Sequence, residues 1–107
     1  MATARQRRGR RTNVVVADWL REHGWPDAEP TYGSEPGRDV QKVPGHSIEV
    51  KARYGLDLKA WLAQADSYAD GDTSCVVIRL NGQGEKSVGE FLVVRRLEDD
   101  VLNRSQM

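Results

Sequence analysis

The spacing of apolar residues predicts two helices. Val15, Trp19 and Leu20 recur at the helical period and predict a first helix over Thr12–His23, followed by Gly24 as a C-cap glycine. The same period predicts a second helix over Leu58–Ala69. Both helices therefore have one apolar face that can pack on a sheet.

Shorter apolar and alternating stretches predict the strands of that sheet. Asp39–Val43 and Ser47–Ala52 flank a Pro-Gly turn, which predicts a hairpin. Further strands are predicted near Thr31-Tyr32, over Ser74–Leu80 and over Gly89–Arg95. Helices interleaved with strands indicate an α/β (α+β) fold, a single small domain with a mixed central sheet flanked by helices. We expect this domain to span residues 9–97, between a disordered tail at 1–8 and a polar tail at 98–107.

Composition narrows the class without identifying it. The chain has 107 residues, of which 38% are hydrophobic and 30% charged, which is typical of one globular domain. No apolar stretch approaches the roughly 20 residues that span a bilayer, so no membrane partner is expected. A single cysteine, Cys75, fits a reducing cell interior. We therefore expect a cytoplasmic protein.

Charge is zero overall but unevenly distributed. The first 11 residues contain no acidic residue and five arginines: Arg5, Arg7, Arg8, Arg10 and Arg11. Such a cluster attracts a nucleic-acid backbone and predicts DNA contact. A solvated tail without a partner is the competing interpretation.

The candidate chemistry begins with Asp39 and continues at Glu49 and Lys51. Two carboxylates on neighbouring hairpin strands can converge on one hard cation, and Mg²⁺ binds few protein carboxylates, together with water and phosphate oxygens. Glu49 and Lys51 leave the same face of a strand, so the ammonium would lie beside that cation. The competing interpretation is ordinary alternation, with Ile48 and Val50 in the core and the charged residues in solvent.

The segments Gly37–Val40 and Ser47–Arg53 resemble the core motif of PD-(D/E)XK nucleases. Within that superfamily, the order of motifs resembles the archaeal-type and phage Holliday-junction resolvases. Leu20–Trp25 is similar to the end of the family's opening helix, and Tyr32–Ser34 to the loop before the aspartate. Gln64–Tyr68 resembles a helix motif of related exonuclease domains. The resemblance extends over roughly residues 9–97 and implies a restriction-endonuclease-like core.

The resemblance also implies residue roles. Asp39, Glu49 and the backbone carbonyl of Val50 would bind Mg²⁺ or Mn²⁺, and Lys51 would be the catalytic lysine. Ser34 would contact the DNA phosphate, and Gln64 would position the lysine or the phosphate. Arg53, at the end of the motif, is assigned to DNA binding.

The first helix departs from the resolvase pattern. Asn13 aligns with a glutamate of the resolvases, and an amide oxygen binds Mg²⁺ more weakly than a carboxylate. Asp18 and Glu22 on the same helix are possible substitutes.

The expected activity is hydrolysis of DNA phosphodiester bonds, with a four-way junction as the favoured substrate. Symmetric cutting of a junction implies a homodimer, and the short chain suggests a phage or prophage protein. Three alternatives remain open: a nuclease acting on flaps, ends or restriction-type sites; a non-catalytic DNA-binding protein, as Asn13 suggests; and a domain whose charged residues merely face solvent.

Overall fold

The computed structural model describes residues 3–32, 36–52 and 57–102 of the chain. It is compact, with a Cα radius of gyration of 13.4 Å. Its helices are α1 (Ala4–Glu22), α2 (Leu58–Ser67), the short α3 (Leu97–Asp100) and a 3₁₀ helix (Glu85–Glu90). Its strands are β1 (Glu29–Pro30), β2 (Val40–Gln41), β3 (His46–Lys51), β4 (Thr73–Ile78) and β5 (Leu92–Val94). The predicted fold class, one small α/β domain with a mixed sheet, is confirmed.

The five strands form one sheet in the order β1-β2-β3-β4-β5. β2 and β3 form the predicted antiparallel hairpin, with Val40 opposite Ile48 and a positive φ of 82° at Gly45 in the turn. β3 and β4 run parallel from His46 opposite Thr73 to Lys51 opposite Ile78, and α2 lies in the connection between them. β5 then returns antiparallel to β4. The hairpin and the crossover together bring the residues after β3 close to α2.

Alternation along β3 separates two kinds of side chain. Ile48 and Val50 belong to an apolar core that also contains Val16 and Ala17 of α1. On the other face of the sheet, Trp61 of α2 packs against Val76 and Ile78 of β4 in a smaller apolar cluster. Glu49 and Lys51 lie on this second face and are also buried. The sequence therefore places two charged groups inside the protein rather than in solvent.

Helix α1 begins earlier than the apolar pattern predicts, because Thr3 caps it. The Thr3 hydroxyl accepts a hydrogen bond from the Gln6 N–H at 3.1 Å, and the Thr3 N–H donates to Gln6 Oε1 at 2.8 Å. This reciprocal pair forms a capping box, and arginine is a good helix former. The prediction of a disordered tail is therefore wrong for residues 4–8, which are helical.

A buried arginine fixes the middle of α1 to the sheet. Arg79, after β4, donates to the Thr12 hydroxyl at 3.0 Å and to the Gln83 carbonyl at 2.8 Å. Both Arg79 and Thr12 are buried. The arginine-rich first turns of α1 thus extend from a fixed point rather than from a free end.

The remaining differences concern element boundaries. β1 lies at Glu29–Pro30, directly before the strand predicted near Thr31-Tyr32. α2 ends at Ser67, two residues before the predicted end at Ala69. The predicted strand Gly89–Arg95 is reduced to β5, because a 3₁₀ helix occupies Glu85–Glu90. The tail predicted for residues 98–107 begins within α3. No helix in the described ranges is both long and apolar enough to cross a bilayer.

Candidate active site

A pocket of about 250 Å³, here called the carboxylate pocket, opens at the end of β3. One wall comes from the hairpin and α2, and consists of Asp39, Glu49, Val50, Lys51, Ala52 and Gln64. The other comes from α1, and consists of Arg5, Gln6, Gly9 and Asn13. The structure thus brings together every residue assigned a catalytic or metal-binding role from the sequence except Ser34. Ser34 and Arg53 lie outside the described residues.

Asp39 is held across the hairpin by backbone hydrogen bonds. Its N–H donates to the Ile48 carbonyl at 3.0 Å, and its Oδ2 accepts from the Val50 N–H at 2.8 Å. Backbone groups of successive strand residues point to opposite edges of the strand, and the N–H and carbonyl of one residue point the same way. The Val50 carbonyl therefore faces the side of β3 on which Asp39 lies, as its expected role as a ligand requires.

Lys51 is enclosed by three side chains. Its Nζ lies 3.4 Å from Glu49 Oε2 and donates to Gln64 Oε1 at 3.0 Å. The same Nζ is 5.8 Å from the centroid of the Trp61 ring, within cation–π range. Only 11% of the Lys51 side chain and 3% of the Glu49 side chain are exposed. Helix α2 therefore determines where the lysine points, through Gln64 and Trp61.

Glu49 is the least satisfied group in the pocket. Its Oε2 is buried and is the one side-chain polar atom with no hydrogen-bond partner among buried atoms of the described residues. Burial and the neighbouring Asp39 carboxylate together raise the pKa of Glu49 to about 8, against the opposing effect of Lys51. A buried acceptor without a donor is costly and rare in folded proteins. The Lys51 ammonium, 3.4 Å from Glu49 Oε2, forms an ion pair with it but no hydrogen bond, so this oxygen can still bind a ligand.

These donors fit an open site for a hard divalent cation. Asp39, Glu49 and the Val50 carbonyl offer oxygen ligands, and Mg²⁺ commonly takes one or two carboxylates and completes its shell with water and phosphate. Across the described ranges, no three or more His, Cys, Asp or Glu side chains cluster as a metal site closed by the protein. Asn13 also lines the pocket, and its amide oxygen can bind a cation directly or through water. Asp18 and Glu22 do not compensate, because they line a separate surface pocket.

The five N-terminal arginines do not form one uniform group. Arg5 lines the carboxylate pocket, whereas Arg7, Arg8 and Arg10 lie on the same helix outside it. Arg11 Nε and Nη2 donate to the Glu85 carboxylate at 2.9–3.1 Å. This pair raises the pKa of Arg11 and lowers that of Glu85. Arg11 is already paired with Glu85, which weakens the case for Arg11 as a DNA contact.

Sequence reasoning missed Arg38, which precedes Asp39. Its guanidinium donates to the carbonyls of Tyr68 at 2.9 Å and Ala69 at 2.7 Å, at the end of α2. It also donates to the His46 carbonyl and to Asp72 Oδ2, both at 3.0 Å. Arg38 thereby joins α2 to the hairpin and positions the backbone of Asp39. Its position beside Asp39 in the motif was a signal, but three of its four partners lie 30 or more residues away, after the end of α2.

Comparison of the chain with protein-family models, with curated proteins and with solved structures finds no match in any of the three. The function is therefore inferred from the residues of the pocket. They combine two carboxylates, a buried ammonium and an adjacent arginine, which suits an anionic substrate and a divalent cation.

Proposed function

We propose that the chain is a divalent-metal-dependent DNA endonuclease of the PD-(D/E)XK type, with a four-way junction as its favoured substrate. The observation that carries this proposal is the convergence of Asp39, Glu49 and Lys51 in one pocket, where the buried Glu49 Oε2 is paired with Lys51 but accepts no hydrogen bond. Ordinary alternation on a strand would leave these groups in solvent. Burying them is costly and calls for a chemical reason.

Each residue has a distinct part in the proposed hydrolysis. A Mg²⁺ or Mn²⁺ ion held by Asp39, Glu49 and the Val50 carbonyl would supply Lewis acidity and make water more acidic. Water attacks phosphorus, the bond to one bridging ester oxygen breaks, and that oxygen leaves with a proton. The Lys51 ammonium stabilises the charge that develops on the phosphate oxygens. Gln64 restrains this ammonium through its 3.0 Å hydrogen bond.

DNA as the substrate is supported by the arginines of α1. They lie on the helix that forms one wall of the pocket. Guanidinium groups bind phosphate oxygens in a bidentate manner, and their contribution to DNA affinity falls with salt. We expect binding to weaken steeply as ionic strength rises.

Junction resolution would also require two copies of the site. β5 is an edge of the described sheet, and Leu92 and Val93 on it are exposed, as is Leu97 of α3. An exposed apolar edge is suited to pairing with a second chain. We propose a homodimer, and light scattering of the purified protein tests it directly.

The decisive experiment incubates the protein with a labelled four-way junction, a flap and a linear duplex, each with Mg²⁺ or Mn²⁺. We expect junction cleavage, and a loss of at least about a hundredfold in Asp39→Asn and Lys51→Ala. Asp27→Asn and Lys59→Ala remove the same charges at exposed positions and serve as matched controls. Cleavage that persists in both pocket variants rules the proposal out, and preference for the flap or duplex favours another nuclease of the same type.

A non-catalytic DNA-binding protein is the second candidate. It is favoured by Asn13 and by the absence, over the described ranges, of a cluster of three acidic or other metal-binding side chains. This candidate predicts junction binding without Mn²⁺ uptake, and no effect of Lys51→Ala beyond the loss of one charge. Calorimetric titration with Mn²⁺ distinguishes the two.

A further inference from the structure

The wall that α1 contributes to the carboxylate pocket is a single helical stripe. Arg5, Gly9 and Asn13 are spaced four residues apart, so they lie above one another on one helix face. Their stripe faces Asp39 and Lys51 across the pocket. The sequence alone suggested a disordered tail here, which would have no fixed relation to the site.

Arg5 has no hydrogen bond or ion pair with any described residue, in contrast to Arg11 with its acidic partner. With both acids ionised, the pocket holds two carboxylates and two basic groups, Lys51 and Arg5, and is formally neutral. A bound divalent cation would make it positive, which favours an anion such as a phosphodiester. A guanidinium without an internal partner is the group best suited to receive that anion.

Gly9 is the second unusual feature of this wall. Glycine is less favourable than alanine inside a helix, yet a Cβ placed at Gly9 would meet no atom within 4 Å. Close packing therefore does not require a glycine here, and its φ is not in the left-handed region. Because glycine has no side chain, Gly9 leaves open space in the pocket between Arg5 and Asn13.

We propose that the first turns of α1 form the second wall of a channel for a DNA strand. Arg5 binds one backbone phosphate of that strand, and Gly9 leaves the room through which the strand passes. This inference rests on the proposed function and extends it. It assigns Arg5 to one backbone phosphate of the substrate, rather than to a general electrostatic attraction for DNA.

Binding of a labelled four-way junction with Ca²⁺ as the divalent cation, measured by fluorescence anisotropy, tests the inference without any catalytic readout. We expect Arg5→Ala to weaken binding about tenfold, and Arg10→Ala, which removes an exposed arginine outside the pocket, less than about threefold. Gly9→Leu should also weaken binding about tenfold, because the side chain fills the channel. Its melting temperature should not fall, since leucine is the better helix former. Gly9→Ala, with a smaller side chain, should lie between Gly9→Leu and the wild type.

The outcomes separate this inference from the proposed function. Equal losses in Arg5→Ala and Arg10→Ala, or normal binding by Gly9→Leu, overturn the channel while wild-type cleavage still supports the nuclease. A wild type that neither binds nor cleaves DNA overturns both. Circular dichroism of each variant establishes that any loss is not a failure to fold.

Discussion

Two polar clusters flank the β2–β3 hairpin, and their adjacent residues Arg38 and Asp39 belong to different ones. The Arg38 cluster is complete within the protein: the guanidinium donates to three carbonyl oxygens and to the Asp72 carboxylate. The carboxylate pocket is incomplete, because the buried Glu49 Oε2 accepts no hydrogen bond, although Lys51 Nζ lies 3.4 Å away. The Arg38 cluster is partly exposed and the Glu49–Lys51 pair is buried, yet only in the buried pair is a polar atom left without a hydrogen bond.

This difference distinguishes a structural cluster from a candidate site. A satisfied cluster rigidifies the fold, since each of its groups recovers the hydrogen bonds lost to water. An unsatisfied buried carboxylate is tolerated when a ligand from outside completes it. We therefore expect substitutions in the Arg38 cluster to change stability, and those in the carboxylate pocket to change ligand binding.

The largest expected effect is on cation binding. Glu49→Gln keeps the shape of the side chain but removes its charge, and should weaken Mn²⁺ binding more than about a hundredfold, because hard cations require charged oxygen ligands. Isothermal titration calorimetry measures this change. Asp72→Asn, which removes a carboxylate from the Arg38 cluster, is the matched control and should leave Mn²⁺ binding intact. Equal Mn²⁺ affinity in Glu49→Gln and the wild type would show that the pocket is not a cation site.

The next largest effect is on folding. Arg38→Ala leaves three carbonyls and one carboxylate without their donor, and should lower the free energy of unfolding by about 2–4 kcal/mol. Arg38→Lys should recover part of this loss, because one ammonium can reach some of the partners but not all. Urea denaturation measures both variants. Unchanged stability in Arg38→Ala would mean that the cluster does not hold α2 to the hairpin.

Much of the fold could be predicted because its signals are local. The apolar periods of α1 and α2, the Pro-Gly turn and the alternation of β3 depend on neighbours in sequence. The start of α1 was missed because the capping box of Thr3 and Gln6 precedes the apolar stripe rather than lying within it. β5 was predicted too long, because apolar composition does not distinguish a strand from the 3₁₀ helix before it.

The site was predictable for a different reason. Asp39 immediately precedes β2, and Glu49 and Lys51 lie on β3, so their spacing brings them together once the hairpin forms. The contributions of Arg5 and Gly9 depend on the direction in which α1 crosses the sheet. That direction is set by tertiary contacts such as Arg79 with Thr12, which leave no local pattern.

A smaller effect should appear as a pH dependence of stability. The pKa of Glu49 is raised to about 8 from an ordinary value of 4.5, so between these values the folded protein holds a proton that the unfolded chain releases. Stability without metal should therefore fall as pH rises from 5 to 8, by more than about 1.4 kcal/mol, the equivalent of one pKa unit. Urea denaturation in EDTA at both pH values measures it. Glu49→Gln should show a flatter profile, and a profile as steep as the wild type would assign the effect to another group.

The smallest expected effect concerns the surface pair of Arg11 and Glu85, which resembles the Arg38 cluster in being satisfied but is exposed to solvent. Exposed ion pairs contribute little to stability, so Glu85→Gln should hardly change the melting temperature. It should instead release Arg11 to the DNA, giving a modest gain in junction affinity and a steeper salt dependence by about one counterion. Anisotropy titrations across a salt series measure both quantities. Glu90→Gln removes a nearby acid that makes no ion pair with Arg11, so it separates release of the arginine from a general loss of negative charge. If the two variants gain affinity equally, Arg11 is not specifically restrained by Glu85, and the arginines of α1 act through their summed charge alone.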